Sequence, residues 1–276
     1  MNALIHGILL GGGYALIACG LSLTFGVMRL VNIAHGDLAV CGAYLALLVS
    51  TLLDVPATYT LPLVLPAAFG LGWLLHVTLF ERALASGPLA PVLVTFGLSV
   101  MIQNLLTAGV TANPRTLDGG PLSLASVGGV SLLRIAAFVV AVAVLGGLQL
   151  VLSRTAFGRR VRATADDVET AQLVGIRVRP LFAAVAGIAV ATAALAGVFL
   201  GLMGTVDPYA GGLSLIFAFE AVVIGGIGSL WGTLVGGVVI GLTQQLAGLW
   251  NAGFSVLAVH LLFFVVLTVR PRGLLG

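Results

Sequence analysis

The sequence predicts an all-α, polytopic integral membrane protein with about eight to nine transmembrane helices, some of them short or broken. Only 8% of its 276 residues are charged, 60% are hydrophobic, and the mean hydropathy is +1.20. Soluble domains carry about 25% charged residues, so this chain has too few charges to cover a surface that faces water. Runs such as residues 138–145 are apolar on every face and lack the alternation of barrel strands, which indicates helices.

Nine apolar segments are predicted to cross the membrane within a single transmembrane domain over residues 1–276. A helix needs about 20 residues to cross the hydrocarbon core. The second segment spans roughly 24 Å and the seventh is shorter still, and short helices flanked by glycine are typical of transporters with broken helices and related halves. The predicted segments are 6–28, 38–53, 61–80, 91–110, 132–152, 183–204, 214–227, 232–249 and 254–269.

The distribution of arginine predicts the orientation in the membrane. Two of the twelve arginines, Arg115 and Arg134, fall in one set of alternate loops. Loops rich in arginine face the cytoplasm, so we expect the N-terminus outside and the C-terminus in the cytoplasm. The first segment lacks the features of a cleaved signal peptide and is predicted to be retained. The other set of loops holds Arg29, Arg82, six arginines between 154 and 179, Arg270 and Arg272.

Missing motifs exclude several classes of enzyme. The chain has no lysine, so it cannot form a P-loop, and any ATP hydrolysis would have to take place on a partner. It also lacks the H-E-x-x-H and G-x-S-x-G motifs. The acids Asp166, Asp167 and Glu169 have no second acidic motif to complete a two-metal site, and His76 and His260 are isolated in the sequence. We therefore expect no catalytic residue, no bound metal or cofactor, and no nucleic-acid partner.

A polar segment between the first two spans is the strongest candidate for a functional site. Asn32, His35 and Asp37 lie near membrane depth, where polar side chains are costly and often functional, and Gly36 permits a close backbone approach. One interpretation is an ordered re-entrant connection that gates or lines a translocation path. The alternative is that Asp37 caps a helix beginning at Leu38 while Asn32 and His35 satisfy loop backbone.

Glycines near the end of the chain predict close helix packing. Gly228, Gly232 and Gly236 are spaced by four residues, and Gly237 and Gly241 repeat that spacing. Small residues at this spacing let membrane helices approach closely.

Glu220 is the only acid within the last sixty residues. It is either a proton-coupling group or a structural carboxylate that contacts an arginine or a backbone amide.

The polar loop at about 153–180 is predicted to be a short cytoplasmic helix between arginine-rich ends. It holds nine of the twenty-one charged residues of the chain. Thr164 or Asp166 is the expected cap of a helix over about 164–175, with Glu169 in its first turn and Gly175 beyond its end. The alternative is that the arginines of the loop only enforce topology and contact anionic lipid.

Four stretches in order resemble one family of membrane proteins. GLSLTFGVMRLVNIAHGDLAVCGAY at 20–44 is similar to the N-terminal signature of permease subunits of branched-chain amino-acid ABC importers, the hydrophobic amino acid uptake family. Residues 154–177 resemble the cytoplasmic loop of that family, residues 222–237 its glycine-rich late helix, and residues 270–276 its C-terminal tail. Asn32, His35 and Gly36 fit the signature, and Asp37 stands where the family has an acidic residue.

The resemblance implies a permease in the inner membrane of a prokaryotic cell. It implies a second homologous permease subunit, two cytoplasmic ATP-binding subunits and an extracytoplasmic solute-binding protein, with membrane lipid around the spans. The solute would be a branched-chain amino acid, another small amino acid or a related small compound.

The loop at about 153–180 would then couple the permease to the ATP-binding subunits. Arg159 and Arg160 would steer docking, Gly175 would end the helix, and Val168, Ala171 and Val174 would be its contacts. The competing hypothesis is a stand-alone secondary transporter or channel that uses Asp37 or Glu220 for coupling.

Overall fold

The fold is a bundle of long helices, as seen in a computed structural model that describes residues 2–110 and 112–275. Seven helical segments within these residues are long and apolar enough to cross a membrane, and two apolar helices are shorter. The prediction of an all-α polytopic membrane protein is confirmed, and these nine segments match the nine predicted ones. Their bounds are Asn2–Met28 (α1), His35–Leu53 (α2), Ala57–Ala85, Ala90–Gly109 (α5), Leu132–Arg154 (α7), Val178–Met203 (α10), Ala210–Gly225 (α11), Leu230–Gly248 (α12) and Phe254–Val269 (α13).

The third segment is composite. A 3₁₀ turn at Ala57–Thr60 leads into Leu61–Leu75 (α3), which continues through a π-helical turn at His76–Phe80 into Glu81–Ala85 (α4). Pro62 lies in the first turn of α3, where its missing N–H costs no helical hydrogen bond.

The long connection between α5 and α7 carries little regular structure. It holds the short helix Pro121–Leu124 (α6) and a small antiparallel hairpin of Ser126–Val127 (β1) and Val130–Ser131 (β2). Arg115 and Val206 form an isolated antiparallel bridge that ties this connection to the end of α10.

Helices α1 and α10 form the centre of the bundle. The apolar windows of α10 and α1 are 83% and 72% buried, whereas those of α5 and α7 are only 22% and 17% buried. Helix α12 packs directly on α1, because a Cβ atom on Gly241 would overlap the backbone of Gly7 and Gly11. Helices α5 and α7 therefore lie at the periphery, with most of their side chains directed away from the core.

The glycines of α12 also lie against α11. A Cβ atom on Gly232 would overlap the carbonyl oxygen of Gly225, and one on Gly236 would overlap that of Ala221. Gly228 does not belong to this helical ridge, because α12 begins only at Leu230. Gly228 instead lies in the preceding turn with φ = 82°.

The polar loop forms two helices rather than one. Ala156–Asp166 (α8) and Val168–Leu173 (α9) are separated at Asp167, so the prediction of one helix over about 164–175 is wrong. The cap of α9 is Asp167, which accepts hydrogen bonds from the backbone N–H groups of Glu169 (2.9 Å) and Thr170 (3.2 Å). Thr164 and Asp166 are not the cap, because both belong to α8. Glu169 lies in the first turn of α9 as expected.

Candidate translocation site

The polar segment after α1 turns back into the bundle. Helix α1 ends at Met28, and Arg29 adopts φ = 53°, which reverses the direction of the chain. Six residues later, Nε2 of His35 donates a hydrogen bond to the carbonyl oxygen of Ile17 (2.9 Å). Because Ile17 lies in the middle of α1, helix α2 begins beside the middle of α1 and not beside its end.

Hydrogen bonds within the returning segment, residues 29–34, and to α5 hold it in place. The Asn32 side-chain oxygen accepts from the backbone N–H of Ala34 (3.1 Å), and the Thr95 hydroxyl oxygen on α5 accepts from that of Ile33 (3.2 Å). Asn32 and His35 are 2% and 0% exposed. These hydrogen bonds satisfy the buried part of the segment, because an unpaired polar group there would cost free energy, although Nδ1 of His35 has no partner among the described residues.

The first turns of α2 and α11 meet at two glycines. A Cβ atom on Gly36 would overlap the carbonyl oxygen of Gly211, and a Cβ atom on Gly211 would overlap Oδ1 and the backbone of Asp37. From this junction α2 runs to Leu53 at one end of the bundle, and α11 runs to Gly225 at the other. Two helices of 19 and 16 residues therefore start from one point inside the bundle and run in opposite directions.

Asp37 lies at this junction and is 1% exposed. Its Oδ1 accepts a hydrogen bond from Nε2 of Gln103 on α5 (3.1 Å). The alternative that Asp37 caps a helix beginning at Leu38 is wrong, because α2 already begins at His35 and has no side-chain cap. Its position in the first turn places the carboxylate in the favourable field of the N-terminal ends of α2 and α11.

A polar stripe on α5 accompanies the returning segment, and sequence reasoning missed most of it. Thr95, Ser99, Gln103 and Thr107 lie at four-residue intervals and therefore on one face of the helix. Nε2 of Gln103 also donates to the Ser99 hydroxyl (3.3 Å). The signal was present in the sequence, since four polar residues at helical spacing, with Asn104 beside them, are unusual in a mostly apolar helix.

Two cavities open at opposite ends of the bundle near this segment. One of about 300 Å³ lies between the first half of α1 and the end of α10, and Tyr14, Val40 and Ser214 line it. The other, of about 660 Å³, lies where α1 ends and α10 begins, and Arg29 and Phe182 line it. Residues 29–40 thus run from the larger cavity to the smaller one.

Glu220 lies apart from this segment, in a second polar cluster. Its Oε1 is 2.5 Å from Nδ1 of His260 on α13, so its partner is neither an arginine nor a backbone amide, and His260 is not isolated. Beside this pair, the Tyr14 hydroxyl donates to Oε1 of Gln244 (2.5 Å), and the ring of Phe217 stacks on that of His260. The pairing satisfies one oxygen of a carboxylate that is 4% exposed, whereas Oε2 is buried with no hydrogen-bond partner among the described residues.

The loop helices present an exposed apolar edge. Val168 and Val174 are 38% and 72% exposed, and Leu173, which belongs to the same apolar stripe but is not among the predicted contacts, is 87% exposed. Ala171 is 2% exposed, so it packs inside the chain and is not available as a docking contact. Gly175 follows α9 with φ = 86°, and Arg159 and Arg160 lie on α8.

Asp167 lies between α8 and α9 and caps the N-terminus of α9. The Thr170 hydroxyl donates to its carboxylate (2.6 Å), and so do the backbone N–H groups that it caps. These hydrogen bonds, that of the Thr170 hydroxyl first, lower the pKa of Asp167 below its ordinary value.

Comparison with known proteins identifies the relatives of the chain. A family model described as "Branched-chain amino acid transport system / permease component" matches residues 3–269. The high-affinity branched-chain amino acid transport system permease protein BraD of Pseudomonas aeruginosa is 32% identical over 100% of this chain and 95% of its own length. LivH of Escherichia coli K12, which has the same description, is 29% identical over the same shares.

A third relative covers only part of the chain. The fructose import permease protein FrcC of Rhizobium meliloti is 41% identical over 34% of this chain and 28% of its own length. No solved structure matches the chain.

Proposed function

The chain belongs to the family of branched-chain amino acid transport system permease components, and we propose that it is the permease subunit of an ATP-binding-cassette importer for branched-chain or related small amino acids. The two relatives matched over the whole chain carry the name of a branched-chain amino acid permease. The fructose permease shares only about a third of the chain, which favours an amino acid over a sugar as the solute.

Within this importer, the segment that contains Asn32, His35, Gly36 and Asp37 gates the translocation path. The observation that carries this role is its position, buried and hydrogen-bonded inside the bundle, between cavities at opposite ends. The junction of Gly36 and Gly211 supports it, because a shift of α11 against α2 would rearrange the segment without unfolding either helix.

The partners are a second permease subunit, two ATP-binding subunits and an extracytoplasmic solute-binding protein. The chain hydrolyses no ATP itself, since it lacks the lysine of a P-loop. The loop at about 153–180 transmits the motion of the ATP-binding subunits to this single transmembrane domain over 1–276. Its docking edge is Val168, Leu173 and Val174, with Arg159 and Arg160 beside it.

The permease lies in the inner membrane with its N-terminus outside and its C-terminus in the cytoplasm. Ten arginines in alternate loops against two in the others support this orientation. A fluorescent protein fused after the C-terminus will fluoresce, because it folds in the cytoplasm, whereas a periplasmic alkaline phosphatase at the same place will be inactive.

Reconstitution separates the importer from a stand-alone transporter. Proteoliposomes with this chain, its partner permease and both ATP-binding subunits will take up radiolabelled leucine only with internal ATP and external binding protein. The chain alone will hydrolyse no ATP and take up no leucine under an imposed proton or sodium gradient. Gradient-driven uptake without ATP, abolished by Asp37→Asn or Glu220→Gln, would instead establish the secondary transporter.

A further inference from the structure

A groove separate from the cavities near the returning segment lies beside α8. It has a volume of about 630 Å³ and is bounded by α8, the connection from α9 to α10, the first turns of α10 and one side of α3. Its wall is largely apolar, with a tryptophan that is 38% exposed. The side chains that matter here are Trp73, Phe157, Arg160, Arg177, Leu181 and Ala184.

The charged side chains that line this groove are all arginines. Arg160 and Arg177 are exposed, and no acidic residue lines the groove. Neither guanidinium forms an ion pair within residues 2–110 and 112–275, in contrast to Arg179, whose Nε lies 2.8 Å from Oε2 of Glu81. Two guanidinium groups without an ion pair at one groove suit a phosphate, because the guanidinium matches phosphate oxygens with paired hydrogen bonds.

We infer that the groove binds one anionic phospholipid, with the phosphate on Arg160 and Arg177 and an acyl chain along Trp73, Leu181 and Ala184. The apolar wall favours a lipid over free phosphate, because Leu181 and Ala184 belong to membrane-spanning α10 and Trp73 to the composite third span. Tryptophan is enriched at the membrane interface, and anionic lipid attracts basic residues next to the spans.

The bound lipid would fix the connection between the loop helices and the bundle. Val174, Gly175 and Ile176 join α9 to α10 and also line the groove. An occupant that contacts Arg160 on α8 and Arg177 at the start of α10 holds these two helices at one relative position. Amide hydrogen exchange over 174–177 will therefore slow when the lipid binds.

The test titrates the full-length purified permease in detergent with dioleoyl phosphatidylglycerol, dioleoyl phosphatidylcholine or inorganic phosphate. Thermal unfolding and native mass spectrometry report stabilisation and retained lipid. In the wild type, phosphatidylglycerol will raise the unfolding midpoint and stay bound, whereas phosphatidylcholine and phosphate will do neither. The half-saturating phosphatidylglycerol concentration will rise about tenfold or more in R160Q/R177Q, which loses two charge-assisted hydrogen bonds.

The matched control is R154Q/R159Q, which removes the same charge from exposed positions of the same loop outside the groove. It will keep the phosphatidylglycerol selectivity of the wild type. Equal effects of the two lipids on the wild type, an equal effect of inorganic phosphate, or unchanged selectivity in R160Q/R177Q would overturn the inference. Loss of ATP-binding subunits from R160Q/R177Q with lipid selectivity intact would likewise overturn it and assign the groove to that partner.

Discussion

The carbonyl oxygen of Gly211 occupies the space that a side chain on Gly36 would need, although the two residues are 175 positions apart in the chain. This contact joins the first turn of α2 to the first turn of α11 beside the buried carboxylate of Asp37. Neither glycine position leaves room for a Cβ atom, so the two helix backbones are in direct contact at this point. We therefore expect a single added methyl group at this junction to disturb the proposed gate.

Gly211→Ala tests the junction with a single methyl group. The added Cβ atom overlaps Asp37, so we expect ATP-driven uptake to fall severely while the protein still inserts, because overpacking typically costs about 1–3 kcal/mol. The control is Gly212→Ala, one position along the same helix, where a Cβ atom meets open space. Equal uptake by the two variants in proteoliposomes would show that the junction does not control transport.

Gly232→Leu tests the packing of α12 on α11. A side chain at this position displaces the backbone of Gly225, so the unfolding midpoint will fall by an amount that corresponds to about 1–3 kcal/mol or more. Gly147→Leu on α7 is the control, since no atom lies within reach of its Cβ position. An unchanged midpoint for Gly232→Leu by differential scanning fluorimetry would contradict the close contact.

Two substitutions on α9, one at an exposed residue and one at a buried residue, separate docking from folding. Leu173→Asp will leave the unfolding midpoint unchanged but weaken binding of the ATP-binding subunits, because an apolar docking contact is replaced by a charge. Ala171→Arg will lower the midpoint, because a large charged side chain cannot fit at a site that is 2% exposed.

Arg159→Ala is the comparison variant for the docking measurement, because it removes one exposed charge. It will weaken binding only modestly, since exposed ion pairs are typically worth about 0–1 kcal/mol. Co-purification of the ATP-binding subunits measures docking. Normal co-purification with Leu173→Asp would show that the exposed edge of α9 is not the docking surface.

The cap of α9 predicts a pH dependence of the loop. The folded pKa of Asp167 lies below its unfolded value of about 3.9, so its stabilising effect is complete above that value and disappears as the pH falls through the folded pKa. A spin label on Leu173→Cys, with Cys19 and Cys41 replaced by alanine, will be less mobile at pH 7 than below about pH 4, where the cap is lost.

Two cap variants check this assignment. Asp167→Ala will leave the label mobile at every pH, because no side chain accepts from the N–H groups of Glu169 and Thr170. Asp167→Ser keeps an accepting oxygen and will keep the label at its wild-type pH 7 mobility without the acid transition. A label that behaves identically in the wild type and in Asp167→Ala would show that the cap does not order α9.

The amino-acid sequence alone predicted the nine apolar helical segments, because a helix in lipid satisfies its backbone hydrogen bonds within itself and its length follows from a continuous apolar run. It also determined that Gly232 and Gly236 lie on one helix face, since their spacing is a local property. The resemblance of residues 20–44 to one family rested likewise on residues adjacent in the chain.

Only the tertiary structure decided which distant groups meet. Three contacts join segments that are distant in the sequence, and no local pattern shows that these segments meet. They are the contact of His35 with Ile17, the junction of Gly36 with Gly211, and the pair of Glu220 with His260. Ala171 illustrates the same limit, since α9 is too short for its apolar positions to show which face turns toward the chain. Depth and partners in a membrane bundle arise from close packing between helices, and that packing exists only after all the spans have assembled.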